Sequence, residues 1–360
     1  MTRWTLLLLA TALLGAAPAR AQDAWVAGVV TDAETGEPLP GAHVFVSGTL
    51  RGDAADRAGR FGFRVVPGPA LVTATMLGYG TASTERLLQP GDTLALGFWL
   101  TPQPLALGAV EVVDRQDEAW RRTLQTFRPV FLGGSSRADE TALQNPEVLH
   151  LALEDGTLRA RTEAPLVVRN LALGYEITFH DLDFAATGTA WGWDATIAFR
   201  DLCAEWPCAP VIVEERERAY AGSVQHFLDA LVAGRHEEEG FRVRRVTAPG
   251  KSGSSITGAI GRALGLSRGA PPDEVAARPT PYGWEVETGG ALRVEYERER
   301  DGRTPDGGPQ VSWLTAEDER LRLAPSGALL DPDAVVRYGY WDWERVADHL
   351  PADYRPPPDR

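Results

Sequence analysis

Gly28-Val29-Val30-Thr31-Asp32-Ala33-Glu34-Thr35-Gly36-Glu37-Pro38-Leu39-Pro40-Gly41-Ala42 decides how the front of this chain folds. A short run of β-branched residues stops at a cluster of Asp, Thr, Gly and Pro, and His43-Val44-Phe45 then resumes the apolar character. Gly and Pro supply the backbone angles that a turn requires, so the stretch reads as strand, turn, strand. The same rhythm continues on both sides. Strands are predicted at Trp25 to Thr31, His43 to Gly48, Arg60 to Val66, Leu71 to Leu77 and Thr93 to Leu100. The breaks fall at Asp56-Arg57-Ala58-Gly59 and Pro67-Gly68-Pro69. Short strands at this spacing predict an all-β sandwich of roughly eighty residues.

The order of these signatures resembles the carboxypeptidase-like regulatory domain, a transthyretin-like sandwich. The residues carrying the resemblance are Gly28 to Asp32, Thr35 to Ala42, Gly59-Arg60-Phe61 and Leu77-Gly78-Tyr79, within residues 25 to 102. The resemblance implies an accessory β-sandwich of exported peptidases, outer-membrane receptors and envelope proteins, and no catalysis by the sandwich itself. Val110-Glu111-Val112-Val113 is similar to the strand that follows this sandwich in TonB-dependent receptors. A receptor barrel does not fit the rest, which has helical stretches and ends in Pro-Pro-Pro-Asp-Arg.

Beyond a linker strand over residues 103–119, Trp120, Leu124, Phe127 and Phe131 recur at helical spacing up to Gly133-Gly134. Tyr175, Ile177 and Phe179 alternate with Glu176, Thr178 and His180, and Trp191, Trp193, Ala195, Ile197 and Phe199 share one parity, as antiparallel strands with one buried face do. A second helix is expected from Ser223 to Arg235, with Ser223 as N-cap. Further strands are expected at Trp284 to Glu287, Leu292 to Glu297 and Val335 to Trp341, with loop insertions near 248–281 and 301–309. The expected class is therefore mainly β with some α: an N-terminal sandwich over residues 22–102, then a larger antiparallel β-rich α+β domain over residues 120–360. That larger region, through Asn170 to Tyr175, Tyr220 to Ser223 and Gly339 to Asp348, resembles a group of exported sandwich-bearing proteins with no assigned activity.

Residues 1–21 have the parts of a secretory leader: Arg3 at the start, an apolar run from Trp4 to Ala17, and Ala19-Arg20-Ala21 at the cleavage position. The run spans only about 21 Å as a helix, short of the roughly 30 Å bilayer core. The expected mature chain starts at Gln22, has no transmembrane segment, and resides in the periplasm, at the outer membrane or on the cell surface. In such a compartment Cys203 and Cys208, with four residues between them, favour a short-loop disulfide over free thiols or a metal site, because a structural zinc wants four ligands.

A net charge of −14, from 50 acidic and 36 basic residues, speaks against nucleic acid as a partner. Lys251 is the one lysine, and Pro249-Gly250-Lys251-Ser252 fails as a phosphate loop because Arg245 stands where its first glycine belongs. The resemblance also directs attention to zinc carboxypeptidases, whose His-x-x-Glu pair and distant His would fall on His236, Glu239 and His349. Read as residues alone, His236-Glu237-Glu238-Glu239 is the solvated end of a helix, so no metal and no cofactor is expected. Two aromatic pairs can stack sugars or fill a core: Trp191 with Trp193, expected in the core, and Trp341 with Trp343, kept as a ligand surface. The functional expectation is a non-catalytic envelope protein that binds or scaffolds an envelope protein or glycan. A hydrolase and a glycan-binding module are the alternatives.

Overall fold

The computed structural model describes residues 22–103, 118–188, 190–204, 208–246, 275–281, 283–300, 307–324, 327–330 and 335–357. The leader, most of the linker strand, Lys251 and most of the two predicted loop insertions lie outside them. The architecture is mainly β with some α, as the alternation predicts.

The first seven strands form two sheets. Strands β1 (Ala24–Asp32), β4 (Arg60–Val65) and β7 (Thr93–Leu100) make one, in the order β4-β1-β7. Strands β2 (His43–Val46), β3 (Gly52–Ala54), β5 (Gly68–Thr75) and β6 (Ala82–Leu88) make the other, in the order β3-β2-β5-β6. Between them Val26, Val30, Val44, Phe61, Val72, Phe98 and Leu100 are buried. The signature turn has a definite cause. The Asp32 carboxylate accepts the amides of Glu34 and Thr35 at 2.8 and 2.9 Å and the hydroxyl of Tyr79 at 2.9 Å, and Gly36 takes the positive φ that closes the turn. The Thr35 amide leads in holding the Asp32 carboxyl below its usual range.

The middle of the chain builds a second core. Helix α1 (Glu118–Leu132) ends where predicted, at Gly133 with φ 97°, and buries Phe127 and Phe131. These rings pack on β9 (Leu149–Glu154), β10 (Thr157–Thr162), β11 (Leu166–Asn170), β12 (Tyr175–Thr187) and β13 (Ala190–Asp201), with β8 (Thr141–Leu143) at one edge. β12 and β13 form a long hairpin, and the other edge of β12 takes β11 along one half and β10 along the other. A register shift between His180 and Asp183, with Asp181 at φ 55°, divides those halves.

Helix α2 (Pro210–Tyr220), which periodicity does not predict, leads into α3 (Val224–Val232). Ser223 caps α3, accepting the His226 amide at 3.2 Å. Phe227, Leu228 and Leu231 of α3 join a third core with β14 (Phe241–Val246), β16 (Gly283–Glu287), β17 (Ala291–Arg300), β18 (Pro309–Ala316) and β19 (Arg320–Leu323). β20 (Val335–Gly339) pairs with β18. Two differences from the sequence reading appear here. Arg278–Thr280, at the end of the stretch read as loop, is a short strand, β15, and the strand read as reaching Trp341 stops at Gly339, followed by a helical turn over Tyr340–Trp343.

The last described residues tie the units together. Val346 and Leu350 enter the middle core, Asn170 Nδ2 donates to the Ala347 carbonyl at 2.8 Å, and Gln225 Nε2 donates to the Ala352 carbonyl at 3.0 Å. The Asp353 carboxylate accepts the Leu50 amide at 3.0 Å and Arg51 Nε at 2.7 Å. The sandwich is thereby docked by its β2–β3 turn. Gly48 donates to the Ile197 carbonyl at 2.7 Å, and Ser47 Oγ accepts the Ile197 amide at 2.9 Å.

Candidate ligand-binding face

Docking uses the β2–β3 side of the sandwich, and no other described residue covers the outer face of β4-β1-β7. Alternation along β1 turns Trp25, Ala27, Val29 and Thr31 outward, and β7 turns out Thr93, Ala95, Gly97 and Trp99. Trp25 is 41% exposed and Trp99 68%, the largest apolar side chains exposed among the described residues. Both indoles lie against glycine. A Cβ on Gly62 would come within 3.0 Å of the Trp25 ring, and one on Gly97 within 2.9 Å of the Trp99 ring. Absence of a side chain is what lets each indole rest against the sheet while staying exposed. Neither indole N–H has a partner among the described residues.

At the Trp25 end the face sinks into a groove of about 290 Å³ lined by Gln22, Asp23, Trp25, Arg64, Asp92 and Thr93, among others. The Asp92 carboxylate accepts the Gln89 amide at 2.8 Å, which fixes the turn beneath it. Arg64 and Asp23 make no ion pair among the described residues and keep their hydrogen-bonding capacity for a ligand. An indole beside two acids, a guanidinium, a hydroxyl and an amide can hold a molecule with one apolar face and a polar rim.

The residues singled out from the sequence fall elsewhere. Trp341 is 3% exposed, packs on Phe227, and donates Nε1–H to the Gly222 carbonyl at 2.7 Å. It is a core residue and not a ligand surface, because the helical turn rolls it into the third core. Trp343 is half-buried, its ring edge against Gly134. Trp193 packs edge-on to Phe131 and Phe179, while Trp191 donates to Asp342 at 2.6 Å beneath the Arg345 guanidinium. Cys203 and Cys208 form the expected disulfide.

His236, Glu239 and His349 are not brought together as metal ligands. Among the described residues, the one group of His, Cys, Asp and Glu donor atoms all within 4.8 Å is Asp201 with Cys203 and Cys208, whose sulphurs are joined to each other. Glu239 instead receives His226 Nε2 at 2.8 Å and Arg235 at 3.1 Å. Since His226 Nδ1 accepts the Gly222 amide, the ring proton sits on Nε2 and points at Glu239. His349 packs tilted on Trp193 and edge-on to Phe199 in the middle unit, where burial first and Arg337 second hold its pKa down to about 4. His180 lies on the polar face of β12, as its parity predicts, but the docked sandwich buries it against Phe45.

A second polar cluster lines the seam between the middle and third units. Arg137 donates to Glu215 at 3.1 Å and to Asp348 at 2.8 Å, and Glu299 accepts Gln310 Nε2 at 2.7 Å. Burial pushes the Glu344 carboxyl up to about 8, with neighbouring Asp348 adding to the rise and Arg337 and Arg137 opposing it. This cluster joins two units.

Residues 26–101 match the family model of the carboxypeptidase regulatory-like domain, so the β1–β7 sandwich is a domain of that kind. Similar solved structures include a chain of a type II cohesin–X-dockerin complex from Acetivibrio cellulolyticus, at 20% identity and TM-score 0.20 over 24% of this chain and 63% of that one. The C-terminal domain of the shaft pilin SpaA from Lactobacillus rhamnosus GG matches at 17% identity and TM-score 0.18, over 23% of this chain and 99% of that one. A DUF3823 family protein from Parabacteroides merdae matches at 8% identity and TM-score 0.17, over 51% of this chain and 82% of that one. Scores this low establish no shared whole-chain fold. No curated protein matches the chain.

Proposed function

We propose that this chain is an exported, non-catalytic cell-envelope protein whose regulatory-like sandwich binds another surface component through the outer face of β4-β1-β7. One observation carries the reading: two indoles are solvent-exposed on a sheet face that no other described residue covers, beside a polar groove. Exposed apolar area of this kind marks an interaction surface. The leader-like residues 1–21 and the Cys203–Cys208 disulfide support an oxidising, exported location. No helix among the described residues is long and apolar enough to cross a membrane.

The test is retention of the purified mature chain, residues 22 to 360, on sedimented cell-envelope material, with the Trp25→Ala/Trp99→Ala double variant alongside. The mature chain is expected in the pellet and the double variant in the supernatant, with unchanged circular dichroism and Tm. A double variant that pellets as well would remove this face from the function.

A further inference from the structure

Resting on that reading, we infer that the ligand of this face is a neutral, extended polysaccharide lying along the strands from the Trp25 groove to Trp99, one stretch of sugar rings stacked at each end. The strand register fixes the spacing. Trp25 pairs with Thr93 and Thr31 with Trp99, so the two indoles are six residues apart along parallel strands, about 20 Å at 3.3 Å per residue. Between them β1 and β7 supply a floor of Ala27, Val29, Ala95 and Gly97, with Arg60 of β4 beside Val29 as a further donor. The result is a strip of small side chains with an exposed indole at each end.

Three features select the chemistry. The C–H face of a sugar ring is apolar, carries slight positive charge and is flat, which suits the negative face of an indole, while the hydroxyls around its rim need donors and acceptors of both kinds. The groove beside Trp25 supplies both kinds: Arg64 donates, Asp23 and Asp92 accept, and Gln22 and Thr93 do either. The charges there are mixed, and the chain as a whole carries −14, so a polyanion is repelled and an uncharged ligand is not. A folded protein partner would instead seat an anchor side chain in an apolar pocket, and this strip is shallow between its indoles. Two stacking sites on one rigid strip also make affinity depend on ligand length, because the second contact becomes intramolecular once the chain spans both.

Isothermal titration of the mature chain with cello-oligosaccharides and chito-oligosaccharides, from disaccharide to octasaccharide, tests this. Oligomers long enough to reach both indoles are expected to bind, with disaccharides at least roughly tenfold weaker, and Trp25→Ala and Trp99→Ala are each expected to weaken the long oligomers by roughly tenfold. Length-independent binding, or a Trp99→Ala variant that binds long oligomers like the parent, would overturn the strip. If no saccharide of any length binds while the double variant still loses retention on envelope material, the face is used but the polysaccharide assignment is wrong. A fall in sedimentation mass for Trp99→Ala would mean that a second copy of the chain occupies the face, and would overturn it too.

Discussion

Arg216 shows how much one side chain can hold at a position that sequence pattern does not flag. Its guanidinium donates to the Leu173 carbonyl at 2.7 Å, to the Gly174 carbonyl at 3.2 Å and to both oxygens of Asp201, and lies 3.9 Å from the centre of the Tyr175 ring. Arg216→Met keeps the stem and removes every donor, leaving two carbonyls and a carboxylate short of partners, so a loss of about 3 kcal/mol is expected. Urea unfolding should show it as a lower midpoint at an unchanged slope. At the candidate face the decisive residue is Gly97. A methyl group there would meet the Trp99 ring at 2.9 Å and lift it from the sheet. Gly97→Ala is therefore expected to reduce envelope retention while moving stability by no more than about 0.5 kcal/mol, since the ring swings into solvent. Trp25 and Trp99 were legible as strand residues but not as a site. Single-strand alternation says which side chains share a face, and only the parallel pairing of β1 with β7, distant in sequence, says that both indoles share one open face.

Elements differ in how plainly they are written. Five of the seven sandwich strands follow from turn chemistry, because Gly36, Gly59 and Gly68 all take positive φ where the sequence breaks, whereas β3 and β6, short or largely polar, are not foreseen. Helix α2 does not follow from periodicity: Pro210-Val211-Ile212-Val213 opens like a strand, and Glu214-Glu215-Arg216-Glu217-Arg218 offers no apolar stripe. Its helical state comes from Pro210 at the first turn and from the tertiary anchors Arg216 and Tyr220. The strand predicted through Trp341 failed for a similar reason, since Gly339 at φ 79° breaks it where an alternating aromatic pattern suggests continuation. The disulfide before α2 closes a loop of only five residues' separation. Loop-closure entropy for so short a ring gives about 2 kcal/mol, so the Cys203→Ser/Cys208→Ser pair should remain folded with a modestly lower Tm. Unfolding of that variant at room temperature would show that the bridge also holds Asp201 in place for Arg216.

On the scale of the whole molecule, the chain end acts as the fastening among three cores. Asp353 reaches the sandwich beside the Ala352 amide, which donates to the Gly48 carbonyl at 2.8 Å, and Asp353→Ala leaves the Leu50 amide without its acceptor and Arg51 without its partner. Faster hydrogen exchange confined to residues 47–51 is expected, with the sandwich core strands unchanged. The seam between the middle and third units makes stability depend on pH. Folding raises the Glu344 carboxyl from 4.5 to about 8, so in that interval the folded chain keeps a proton that the unfolded chain has released, and stability falls as pH rises. His349 acts in the opposite sense: held down from 6.5 to about 4, it leaves the unfolded chain as the one that takes up a proton, and its contribution is lost as pH falls through that range. Below 6.5 the two slopes oppose each other, and above it only Glu344 of the pair still titrates. Unfolding free energy should therefore decline between pH 6.5 and 8 by up to about 1.4 kcal/mol per pH unit. Urea titrations across that interval should show the decline in the parent chain and its loss in Glu344→Gln, which mimics the protonated acid. A parent curve that is flat from 6.5 to 8 would mean that Glu344 is already ionised in the folded chain and that water reaches the seam.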